Sequence, residues 1–77
     1  MGNQRKTQTD IDKLSILLPH WLNHNNEHIR DQEKWIKQAE EAELIDVADE
    51  LRKAIDHSEK ASHHLAQADL CLKNKKS

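Results

Sequence analysis

Residues 19–43 read PHWLNHNNEHIRDQEKWIKQAEEAE, and their spacing decides the fold. Trp21, Leu22, Asn25, His28, Ile29, Gln32, Trp35, Ile36, Ala39 and Ala42 recur at intervals of three and four. That period belongs to a helix with one face turned inward. Glu33 and Lys37 support the outward face as an i, i+4 pair. Pro19 suits the first turn of a helix and disfavours helical geometry at Leu18. The sequence therefore predicts a helix over 19–43 and a break or sharp kink before it.

Downstream, Leu44 to Asp46 reads as a turn, with Asp46 as N-cap of the next helix. That helix runs over 47–72. Its inward row is Val47, Ala48, Leu51, Ala54, Ile55, Ser58, Ala61, Ser62, Leu65, Ala68 and Leu72. Upstream, Thr9 with Asp12 is a variant of the capping box, followed by the stripe Ile11, Leu14, Leu17 and Leu18. A short helix over 9–18 follows from it. Residues 1–8 read as a disordered polar leader, 9–72 as a single helical domain and 73–77 as a basic tail.

The expected class is all-α: an antiparallel helical hairpin with a short N-terminal helix. Leu22, Ile29, Ile36, Leu51, Ile55 and Leu65 are its expected core. Two helices cover their apolar faces poorly. Either the short helix lies across them, or two hairpins dimerise into a four-helix bundle. The sequence leaves both open.

Composition agrees. In 77 residues there is one glycine, one proline and no tyrosine or phenylalanine. A chain this short buries a thin core and often needs a metal or a partner chain. Cys71 is the sole cysteine, so no intrachain disulfide forms, and a cytoplasmic, reducing setting is expected. No apolar run approaches the ~20 residues of a membrane span. Arg5 and Lys6 precede no apolar signal segment, and Lys6 stands where a myristoylation motif has Ser or Thr. Five of the 12 bases lie at the two ends, which leaves seven against all 14 acids between Asp10 and Leu72. Such a surface repels nucleic acid and anionic lipid and tolerates a cation.

The histidines carry the chemistry. His20, His24 and His28 stand at i, i+4 and i+8, where imidazoles four apart can grip one ion. His57, His63 and His64 lie on the other long helix. A turn near residue 44 sets His24 level with His64 and Asp31 level with His57, within about one turn, ~5 Å. This predicts a metal site of His24, His28 and His64, with His57, Asp31, His20 or Cys71 as fourth ligand. Nickel and zinc both suit imidazole, and ligand type does not choose between them. The plain alternative has His28 hydrogen-bonded to Asn25 or Gln32 and the others solvated, with His63 on the surface.

Asn25 and Gln32 occupy inward positions where leucine would stabilise more. They read as setting register or as holding ligand histidines. Trp21 and Trp35 read as anchors of the core or of a dimer interface. No nucleophile–base pair, phosphate loop, CxxC or HExxH pattern is present. The chain is not expected to be an enzyme.

LLPHWLNHNNEHI at 17–29, with the following Trp-containing helix and VADELRKA at 47–54, resembles a small bacterial and archaeal helical domain of unassigned function. That domain opens with Leu-Pro-His-Trp and continues with His-Asn-x-x-His. In some proteins it stands beside, or is fused to, nickel-handling accessory proteins. The resemblance spans about residues 13–72 and falls on Pro19, His20, Trp21, His24, Asn25 and His28. Asn23 and Asn26 depart from it, standing where acidic residues are expected, which weakens any cation attraction it implies. Two readings follow: a small metal-binding accessory protein of the nickel or zinc class, or a metal-free module that binds itself or another helical protein.

Overall fold

The computed structural model describes the backbone from Gly2 to Lys76 and the side chains of residues 8–75. It is an antiparallel hairpin of two long helices, α1 (Gly2–Glu41) and α2 (Ile45–Lys76), with no strand among the described residues. The expected leader and tail fall in part outside the described residues. At Gln8 and from Lys73 to Lys75 the backbone is helical.

One regular seam joins the helices. On α1 the residues turned inward are Ile11, Ser15, Leu18, Leu22, Asn25, Ile29, Gln32, Ile36 and Ala39. On α2 they are Ala48, Leu51, Ile55, Ser58, Ser62, Leu65, Asp69 and Leu72. Steps of four and three alternate without a slip in both rows, the pattern of an antiparallel coiled coil. Asn25 meets Ser62, which puts the register within one residue of that expected from the turn.

The separate short helix is not formed: α1 runs unbroken through Thr9 and Pro19. Thr9 is therefore no cap. A proline inside a helix costs about 3 kcal/mol, because it gives no N–H and its ring crowds the preceding turn. Packing offsets that cost here. α2 continues past the level of Pro19, and its last seam residue, Leu72, shares a groove with Ile11. A break at Pro19 would strip this end of α2 of its partner.

The turn is tighter than expected. Leu44 N–H donates to the Ala39 carbonyl at 2.8 Å and Glu43 N–H to the Glu40 carbonyl at 3.0 Å. Glu43 has φ 63°. These are the two bonds and the left-handed residue of a Schellman C-cap. Asp46 lies inside the first turn of α2, not at its cap, where its charge favours the positive end of the helix dipole. Arg52 bridges Glu40 across the hairpin and Asp49 on its own helix.

Little is buried. Among the described residues only Leu18, Ala39 and Ala48 are buried apolar residues, Ala48 at 0% exposure. The six residues expected to form the core line the seam but are half-buried. The molecule measures 61 × 20 × 14 Å. It exposes 6282 Å², whereas a compact monomer of its 9.0 kDa exposes about 4,900 Å².

The left-handed Glu43 yields a first test. Its Cβ makes φ > 0 unfavourable by about 1 kcal/mol, and glycine carries no such penalty. Glu43→Gly should raise unfolding stability by about 1 kcal/mol in urea denaturation. A loss of stability would show that the Glu43 side chain contributes more than its backbone costs.

Candidate functional site: the outer row of α1

α1 carries a second row with the same rhythm. Leu14, Leu17, Trp21, His24, His28, Asp31, Trp35, Gln38 and Ala42 alternate steps of three and four, and all are exposed. The row lies roughly 100° around the helix from the seam. Trp21 is 43% and Trp35 60% exposed. The two tryptophans, read as anchors of a core or an interface, do not anchor the hairpin's own core. On α2, Val47, Ala54, Ala61 and Ala68 are likewise exposed, although the sequence counted them inward. Trp35, Ala42 and Val47 line one groove near the turn, so the outer rows of the two helices share a side of the hairpin.

The middle of this row holds histidines. His24 and His28 place their Nε2 atoms 3.0 Å apart, with rings edge to face at 4.6 Å. One nitrogen carries the shared proton and the other accepts it. His20 stacks beside His24 at 6.0 Å. Glu27 and Asp31 border the same shallow groove. All three histidines are exposed.

His57, His63 and His64 lie exposed on α2, where His63 and His64 touch edge to face at 5.4 Å. Cys71 is exposed. Among the described residues no three His, Cys, Asp or Glu side chains converge closely enough to hold a metal ion. The structure thus brings together His24 and His28, with His20 next to them, and does not bring His64, His57 or Cys71 to that pair.

Behind the histidines, the seam is polar too. Asn25 Nδ2 donates to the Ser58 carbonyl at 2.7 Å and to Ser62 Oγ at 2.8 Å. Ser62 Oγ donates in turn to Asn26 Oδ1 at 2.7 Å. The sequence flagged Asn25 and missed Asn26, which it had no reason to place inward. Asn25 bonds to α2 rather than to a histidine, so its partners mark it as a register lock. Gln32 Oε1 is buried with no hydrogen-bond partner.

No helix among the described residues is long and apolar enough to cross a membrane. The sequence model of a family described as a domain of unknown function (DUF8180) matches residues 14–70. No curated protein and no solved structure matches the chain.

The seam gives a paired test. Ser62→Ala removes one partner from each of Asn25 and Asn26 and should cost about 1 kcal/mol. Gln32→Leu replaces an unpartnered buried oxygen with apolar surface and should gain about 1–2 kcal/mol. Thermal and urea unfolding measure both. Destabilisation by Gln32→Leu would mean that Gln32 has a partner outside this chain.

Proposed function

The chain belongs to the DUF8180 family, and we propose that it is a helical association module. It pairs with a second copy of itself through the outer row of α1 to complete a four-helix bundle. One observation carries the reading: two exposed tryptophans and two exposed leucines stand on a second coiled-coil row that the hairpin leaves uncovered.

Three arguments support self-pairing. The first is area. The chain exposes about 1,400 Å² more than a compact monomer of its mass, and a stable interface takes about 800 Å² from each partner. The second is pattern. The outer row has its histidines in the middle, with Leu14, Leu17 and Trp21 on one side and Asp31, Trp35, Gln38 and Ala42 on the other. Turned end for end about its histidines, such a row sets Leu17 against the second copy's Trp35, which suits an antiparallel two-fold pair. The third is shape. The small residues Ala54, Ala61 and Ala68 on the adjoining face of α2 allow a neighbouring helix to come close.

A second reading, a small metal-binding protein of the nickel or zinc class, is favoured by the His24–His28 geometry alone. Two ligands leave half of a four-coordinate ion unsatisfied.

Sedimentation velocity over a range of concentrations tests association. The wild-type chain should sediment as a dimer at micromolar concentration and above. Trp35→Glu should keep its helicity and sediment as a monomer, and Trp35→Ala should raise the dissociation constant at least about thirtyfold, or 2 kcal/mol. A wild-type chain that stays monomeric throughout would refute the proposal.

A further inference from the structure

The geometry points to a divalent-metal site shared between two copies of the chain, built from His24 and His28 of one and His24 and His28 of the other. The inference rests on self-association through the outer row of α1. Its ligand is a borderline transition-metal ion such as zinc or nickel, held by imidazole nitrogen.

The pair in one chain is already spaced for chelation. Two nitrogens about 2.1 Å from a common ion lie roughly 3.0–3.4 Å apart for angles between a right angle and the tetrahedral value. The Nε2 atoms of His24 and His28 are 3.0 Å apart. An ion would take the place of the proton they share. One chain supplies no more, since no third His, Cys, Asp or Glu among the described residues joins them. A half-site of this kind is complete only with a second.

Register supplies it. In an antiparallel coiled-coil pair, a residue from one half of the row sits level with a residue from the other half on the neighbouring helix. The alignment that seats Leu17 against the second copy's Trp35 also seats His24 against its His28. The two-fold axis then repeats the pairing in reverse. Four imidazoles meet at the axis; the next layer on each side pairs Trp21 of one copy with Asp31 of the other, and the layer beyond it pairs Leu17 with Trp35. Glu27 and Asp31 border the half-site and offset the charge of the ion. Four nitrogens satisfy tetrahedral zinc or tetragonal nickel.

The test uses the full chain stripped with chelator. Zinc chloride and nickel chloride are titrated in separate calorimetric experiments, and sedimentation velocity is run with and without each ion. The expected stoichiometry is one ion per two chains. The ion should tighten the dimer at least about tenfold, because it binds the paired form. His24→Ala and His28→Ala should each weaken metal binding at least about tenfold while circular dichroism shows an unchanged helix content. His63→Ala should change nothing. One ion per chain on a protein that stays monomeric would overturn the shared site. So would uptake that survives both His24→Ala and His28→Ala. A dimer that takes up neither ion overturns the shared site and leaves self-association standing. A chain monomeric with and without metal overturns both.

Discussion

Two helices share only one line of contact, and most of this molecule follows from that. A residue on either helix can be covered only if it lies on the alternating row that faces the other. Everything 100° or more away stays in water unless something else arrives. Here the facing rows alternate without a slip from Ile11 to Ala39 and from Ala48 to Leu72. Yet among the described residues only Leu18, Ala39 and Ala48 are buried apolar side chains. The seam is long enough to hold two helices in register and too narrow to hide their remaining apolar surface.

The same constraint explains how far the sequence could be read. Period and turn position gave the hairpin, its direction and its register, because each depends on local spacing alone. Which apolar residues are buried depends on how many helices surround α1. Leu22, Ile29 and Ile36 belong to the seam, whereas Trp21, Trp35 and Ala42 lie one step around the helix. On a helical wheel the two sets merge into one broad stripe, and only the count of partners separates them. The unbroken passage through Pro19 was also hidden. A local rule ends the helix there, but α2 extends beyond that point and keeps residues 11–18 opposite it. The left-handed Glu43 escaped notice because glycine usually marks such a cap.

The histidines show a similar division. That His24 and His28 would meet followed from i, i+4 spacing, and they do, at 3.0 Å. That His64 would join them required level and angle together. The level was right within one residue. His24, His28 and His64 stand on rows that share one side of the hairpin, yet among the described residues no third His, Cys, Asp or Glu side chain converges on the pair.

Polarity along α1 is organised the same way on both faces. The seam is mostly apolar from Ile11 to Leu22, with Ser15 among them, carries Asn25, Asn26 and Gln32 around Ile29, and is apolar again at Ile36 and Ala39. The outer row is apolar at Leu14, Leu17 and Trp21, polar at His24, His28 and Asp31, and presents Trp35, Gln38 and Ala42 beyond. Apolar ends provide attraction that tolerates sliding by a heptad. A polar middle does not tolerate it, because a slipped amide or imidazole loses its partner and is left desolvated. On the seam that middle is already locked, by Asn25, Asn26, Ser58 and Ser62. The outer middle stands at the same height on the helix and is exposed in the single hairpin; in the proposed pair, a second copy turned end for end would set its His28 against His24 there.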